Sequence, residues 1–393
     1  MTAERRAVSI AFLFFGVTAG TVLPRLDAIK ENLHLSDGQV GVAFLGFAIG
    51  AVLAAGAARP VLARGARRPV RIVVVFLCLQ VATPALAPSF LWLVVTFALG
   101  GVGAGFSDVL LNSQAAEIER DAGRPMINSF HAYWSLGAIV GSVIAAGAAA
   151  AGISPLVHFA VVAIVLAIAS IPLVARVPDT RGGAAVLLAV GSTRWRIGAA
   201  VAVVSALAFF GIVAESGGAN WSAIYLRDVA HSTESVAALG FAAFTLAMTA
   251  VRFGADRLTA AFGARTVAAI GGLVCALGFG VTTAFPESVP AIIGFGLIGA
   301  GCAVMVPLAF SAGANLDKAG NALTMVTAAG YASSIVGPPL IGAAADRFGL
   351  RLALLVPLAA GVVVFGMMAG TRVLSSRTTR RLADATERVE SKA

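Results

Sequence analysis

The sequence predicts an all-α membrane protein of twelve transmembrane helices in two pseudo-symmetric six-helix halves, and three observations predict it. The chain is 59% hydrophobic and only 12% charged, whereas a soluble globular domain is about 25% charged. Apolar runs of about 20 residues, long enough to cross a hydrocarbon core of about 30 Å, follow one another between short loops. A loop pattern and a glycine pattern recur at one fixed offset of 198 residues, as expected of a structure built from an internal repeat.

The first run, 7–28, follows Arg5 and Arg6 and sets Gly16, Gly20 and Pro24 on one side, where small residues permit close helix approach. It is longer than the apolar region of a secretory signal, and eleven further runs follow it. Runs at 38–58, 70–87, 89–116, 127–152 and 155–175 complete a first half, 1–175. A Gly- and Arg-containing segment, 176–196, is the expected cytoplasmic linker. The second half, 197–373, holds runs at 197–226, 235–254, 266–285, 289–314, 321–345 and 351–371. A basic tail, 374–393, suits the anionic inner leaflet. The repeat matches Gly56, Arg59, Gly65 and Arg67 to Gly254, Arg257, Gly263 and Arg265, with Ala58 where the second copy has Asp256. Gly101 and Gly103 likewise match Gly299 and Gly301.

A net charge of +9 raises the question of nucleic acid, and its placement answers it. With the N-terminus cytoplasmic, 23 of the 28 lysines and arginines fall in inward-facing segments, which is the positive-inside pattern of a multi-pass protein of the cytoplasmic membrane with both termini inside. No stretch is long enough for a soluble basic domain, so the expected partner is the lipid bilayer and not a nucleic acid. The three cysteines fall inside apolar runs with no Cys/His spacing, so neither a metal site nor a disulfide framework is expected. No Walker A sequence, His-Glu-x-x-His or Gly-x-Ser-x-Gly occurs. An enzyme is therefore not expected, and no cofactor.

The loop GADRLTAAFGAR, from Gly254, resembles the Gly-x-x-x-Asp-Arg-x-Gly-Arg loops of the major facilitator superfamily, as does SSIVGPPLIGAAADRFG from Ser333. The resemblance implies two six-helix halves that rock about a central site, with Gly254, Asp256, Arg257, Gly263, Arg265 and Arg59 forming the gating loops. Four further stretches resemble the fucose-permease-like branch and related bacterial inner-membrane permeases: LPRLDAIKENLHLSDGQVG from Leu23, GVGAGFSDVLLNSQAAEIE from Gly101, NSFHAYWSLGAIVG from Asn128 and AESGGANWSAIYL from Ala214. That branch implies sugar contacts at Asp108 and at His131, which stands where those permeases carry an amide. Gly20 replaces their first-helix acid. Drug-proton antiporters of the superfamily usually carry an Arg motif in the fourth helix and a Gly-Pro pair in the fifth, and here Gly141-Ser142 stands in place of the pair.

Of nineteen acids, two lie well within the runs, Asp108 and Glu215, and ionisable residues at membrane depth mark solute or ion pathways. Asn112 follows Asp108 at helical spacing, and His131 falls at a similar depth on the next helix. An Asp108–His131 pair able to hold a proton is therefore expected, with Glu215 as the proton-titrating acid of the second half. Asn128, Trp134, Asn220, Trp221, Tyr225 and Tyr331 are the expected wall of a site for a small polar solute, rings and amides being suited to sugar-like compounds. The functional expectation is a monomeric, proton-coupled symporter of a sugar-like metabolite. A proton-coupled efflux antiporter is the alternative, and a transporter-like sensor or partner-binding subunit a more distant one.

Overall fold

The computed structural model describes residues 2–122, 126–179, 198–316 and 321–371. Most of the expected linker, the expected tail and the side chains of Arg59 and Asn128 lie outside the described residues. The helices are α1 (Ala3–Val22), α2 (Leu26–Asn32), α3 (Asp37–Ala63), α4 (Arg67–Gln80), α5 (Phe90–Ala122), α6 (Ile127–Ala150), α7 (Pro155–Leu173), α8 (Ala199–Asp228), α9 (Glu234–Phe262), α10 (Ala264–Ala284), α11 (Ser288–Leu316), α12 (Asn321–Phe348), α13 (Leu350–Ala353) and α14 (Leu355–Gly370). Among the described residues ten helical stretches are long and apolar enough to cross a membrane, counting α1 with α2 and α13 with α14. With α4 and α12 the bundle has twelve members, an all-α membrane fold.

Local chemistry sets the ends. Ser36 caps α3 in a reciprocal box with Gln39, satisfying two orphan donors. Ser154 caps α7 ahead of Pro155, where a missing N–H costs nothing. The first run breaks earlier than its apolar extent suggests: α1 ends at Val22, and Leu23–Arg25 forms a tight turn around Pro24, whose ring cannot continue the ladder. Pro84 ends the third membrane segment in the same way, at Thr83–Leu86.

The two copies of the repeat make the same crossings. A Cβ on Gly101 of α5 would strike the Phe47 carbonyl of α3, and a Cβ on Gly299 of α11 would strike the Phe244 carbonyl of α9. Only hydrogen allows backbones this close, the device by which helices associate in lipid. The repeated loop glycines share a left-handed backbone, with φ of 113° at Gly65 and 82° at Gly263. Each is followed two residues later by an arginine that reaches the end of the last long helix of its own set. Arg67 Nε donates to the Val177 carbonyl at 2.9 Å, and Arg265 Nε to the Met368 carbonyl at 2.8 Å. These bonds satisfy carbonyls left over at and beyond helix ends.

The helices up to α7 meet those from α8 onward mainly where α3 packs on α12 and α6 on α9. Every hydrogen bond and ion pair between the two sets, among the described residues, lies at one end. Arg25 Nε meets Glu234 at 2.5 Å, Lys30 pairs with Asp228 across the seam and with Asp37 at 2.6 Å, and Arg227 meets Glu31 at 3.3 Å. Asp346 accepts from the Ser36 hydroxyl and the Gly38 amide, both at 2.9 Å. Gly41 lies against the Pro338 carbonyl and Gly342 against that of Asp37, so the backbones themselves close this end. At the other end, which carries the α3–α4 and α9–α10 loops, no such bond between described residues joins the sets. Asp27 is 2% exposed and sealed in with both carboxylate oxygens unpartnered among the described residues.

Candidate functional site: the cavity between the helix sets

Below the sealed end lies a chamber of about 290 Å³. Helical spacing selects its walls: Phe15, Thr18 and Val22 from α1, Ser216 and Asn220 from α8, and Tyr331, Ser334 and Pro338 from α12 repeat at intervals of three, four or seven. Most of the lining is apolar. The polar groups on it are Thr18, Gln80, Ser216, Asn220, Tyr331 and Ser334. The Gln80 amide already donates to the Thr96 carbonyl at 3.0 Å, and the Thr18 hydroxyl to that of Phe15 at 2.7 Å.

A polar belt lies farther from the seal. At about 1.5 Å per residue along each helix, Asp108, His131, Arg252 and Tyr331 all fall roughly 25–29 Å from the sealed helix ends, while Asn220 is about 12 Å away. On α5, Asn112 Nδ2 donates to the Asp108 carboxylate at 3.0 Å and to the Asp108 backbone carbonyl at 2.8 Å. Its Oδ1 lies 3.1 Å from His131 Nε2 on α6. Oδ1 only accepts, so Nε2 carries the proton in this chain. The expected direct Asp108–His131 pair is thus corrected: one helical turn puts Asn112 between them, and its amide bridges acid and imidazole. Asp108 and His131 are both exposed although they lie deep in the bundle, so this belt faces an opening.

The facing wall is built differently. Glu215 on α8 is half-buried and makes no hydrogen bond to a described residue. Arg252 on α9 lies within electrostatic range of Glu215, of His131 and of the Cys302 thiol on α11. Tyr331 lies within the same range of Asp108 across the seam. Arg252 is the interior charge that sequence reading missed. Its signal is a cation two residues inside the eighth apolar run, at a position from which an arginine ordinarily reaches water.

Two members of the expected wall are corrected. Trp221 and Tyr225 are fully buried, on the side of α8 turned toward its own helix set. Tyr225 donates to the Thr282 carbonyl at 2.5 Å and packs edge-on against Phe295. One helix face cannot serve both a core and a cavity, and the face of Ser216 and Asn220 is the one that opens. Trp134 is half-buried, with its ring edge-on to Phe15 at 6.3 Å. Asn220 and Tyr331 line the chamber. In the expected gating loop Asp256 and Arg257 are exposed, and neither forms an ion pair with a described residue. Gly254 has open space around it.

Residues 8–214 match the Major Facilitator Superfamily. The chain is 34% identical over 359 residues to an uncharacterized transporter, y4wD, of Sinorhizobium fredii, covering 88% of this chain and 92% of that one. It is 31% identical over 377 residues to the membrane protein MosC of Rhizobium meliloti, covering 91% and 88%. Among solved structures, a mutant of the nucleoside transporter NupG superposes with a TM-score of 0.75 at 13% identity, covering 94% of this chain and 99% of that one. A bacterial homologue of the human lysosomal transporter Spinster, inward-facing and unoccupied, gives 0.73 at 14%, covering 96% and 97%. A repeat of glycine crossings, a bundle sealed at one end, charged residues lining its interior and these matches lead to one conclusion: the chain belongs to the Major Facilitator Superfamily and is a membrane transporter, not an enzyme.

Proposed function

We propose that the chain is a proton-coupled secondary transporter of the cytoplasmic membrane in which two halves, 1–175 and 197–373 joined by 176–196, rock about the chamber and the polar belt. The carrying observation is that every polar link between the helix sets, among the described residues, is at one end, while Asp108 and His131 stand exposed beyond it. The excess of basic residues in the segments at the other end supports that end being cytoplasmic, which makes this the inward-open state. The exposed, unpaired Asp256 and Arg257 fit an inner gate that is open.

In this reading Asp108, Asn112 and His131 orient the solute from one wall. Glu215 takes a proton from the outside and gives it up to the cytoplasm. The stretches similar to fucose permeases support a solute-facing Asp108, yet the chamber is too apolar to satisfy the hydroxyls of a sugar. Buried polar groups left unpaired cost about 1–3 kcal/mol each, so a compact solute with an apolar body suits it better. The same apolar lining favours a second reading, a proton-coupled exporter of such compounds.

Reconstituted protein tests the coupling, with a solute first identified by thermal-shift screening. Glu215→Gln is expected to abolish accumulation driven by a pH gradient and to spare counterflow exchange, which moves no net proton. Continued uphill accumulation by that variant would remove Glu215 from the mechanism. Thiol labelling of Asn32→Cys from outside and of Ser192→Cys only from inside is the expected topology, and the reverse would overturn it.

A further inference from the structure

The transporter reading leaves one charge without a role. Arg252 sits in a membrane-spanning helix, where a cation ordinarily finds a partner, yet it forms no ion pair and no hydrogen bond with any described residue. Its Nε is buried without a hydrogen-bond partner among the described residues. The charged or titratable groups near it are Glu215 from α8 and Cys302 from α11, with Cys275 of α10 behind, its Sγ 3.6 Å from that of Cys302, and His131 from α6 across the seam. His131 is held as a donor toward Asn112, so it offers no anion. Glu215 is the one carboxylate that a neighbouring helix brings to it, and it lies outside ion-pair distance; Asp256, one turn along α9 itself, is exposed and forms no ion pair with a described residue.

A guanidinium is a planar fork that matches a carboxylate with two parallel hydrogen bonds. The chamber of about 290 Å³ has a largely apolar wall that includes Ser216, the neighbour of Glu215, and Tyr331, which stands at the same depth as Arg252; its volume is close to the lower limit of about 300 Å³ for small-molecule pockets. We propose that Arg252 receives the anionic group of the solute, that the solute is therefore a compact organic monoanion with an apolar body, and that this anion competes with the Glu215 carboxylate for the one guanidinium. The inference rests on the chamber and belt being the solute site. It makes coupling a matter of exclusion: a proton on Glu215 frees Arg252 for the anion, and losing the anion to the cytoplasm returns Arg252 to a deprotonated Glu215. Anion and proton then move together.

The test uses the full chain in detergent, with thermal stability measured against two matched sets of probes: benzoate, benzamide and benzylamine, and hexanoate, hexanamide and hexylamine. At least one carboxylate is expected to raise the melting temperature while its amide and amine do not, more strongly at about pH 6 than at about pH 8. In Glu215→Gln the carboxylate shift should become equal at both pH values. Arg252→Gln should lose it, and Arg252→Lys should retain it with affinity about tenfold weaker, because a point charge replaces the fork. The melting temperatures without ligand report whether each variant folds, and Arg252→Lys carries the test if Arg252→Gln does not. A carboxylate shift that survives Arg252→Gln, the same affinity in folded Arg252→Lys as in the wild type, or no shift with either carboxylate overturns the inference. If an amide or amine stabilises instead and Asp108→Asn removes that effect, the anion assignment falls while the transporter reading stands.

Discussion

The two walls of the cavity hold similar numbers of polar groups but treat them differently. On the α5–α6 wall, Asp108, Asn112 and His131 are joined in one chain of hydrogen bonds at 3.0 and 3.1 Å. On the α8–α9 wall, Glu215 and Arg252 share electrostatic reach without touching. A satisfied network fixes side chains in place before a ligand arrives, which suits recognition. Charges left apart retain their demand for a partner, which suits a step in which something binds, leaves or changes protonation. The difference fits a division in which the first wall orients the body of the solute, while the second, where Arg252 is proposed to take its anion, couples that binding to the proton.

Within the bonded wall, removing the charge at the head of the chain should have the largest effect. Asp108→Asn turns an acceptor of a charge-assisted bond, worth about 1.5–3 kcal/mol, into an amide that must compete with Asn112 for donors. Equilibrium binding of the identified solute should weaken roughly 10- to 150-fold, and uptake and counterflow should fall together. Counterflow that persists at the wild-type level would move recognition off this wall.

Cutting the bridge should cost less. Asn112→Ala leaves Asp108 and His131 both in place and removes the amide between them, so solute affinity should drop about tenfold. His131→Gln should cost still less, under about fivefold, because its Nε2–H can take the place of the imidazole donor opposite Asn112. Binding titrations of the two variants side by side separate a bonded wall from three independent groups. If His131→Gln proves as damaging as Asn112→Ala, the imidazole itself is needed, and a proton on it becomes part of transport.

Much of this was legible in the sequence. The apolar runs gave the twelve helices because lipid demands a spanning length, and the offset of 198 residues marked Gly101 and Gly299 before their matching crossings were seen. Asp108 and Glu215 were legible because an acid at membrane depth is rare. What the sequence hid was direction. Asn112 and His131 were placed at similar depth, but only the rotation of α5 about its axis decides that the amide stands between acid and imidazole. Trp221 and Asn220 are adjacent residues on one helix, so they point about 100° apart, and composition cannot say which faces solute. Arg252 and Asp27 were missed for a related reason: each lies near the end of an apolar run, where a charge ordinarily reaches water, and only the packing of α9 and the seal around α2 keep them inside.

The smallest expected effect on transport is also the sharpest check on which face of α8 belongs to which task. Tyr225 donates to the Thr282 carbonyl at 2.5 Å from a fully buried position, a bond within one helix set that both conformations of a rocking transporter would keep. Tyr225→Phe leaves the ring against Phe295 and removes only the hydroxyl, so the carbonyl loses that donor but keeps whatever its own helix supplies. The cost should be about 1 kcal/mol of stability, visible as a lower melting temperature. Solute affinity, counterflow and pH-driven accumulation should all stay within about twofold of the wild type, since neither wall of the cavity has changed. A Tyr225→Phe variant that melts normally but loses solute binding would instead mean that α8 rotates during the cycle and turns this face toward the cavity, and the division of α8 into a core face and a solute face would then hold only for the inward-open state.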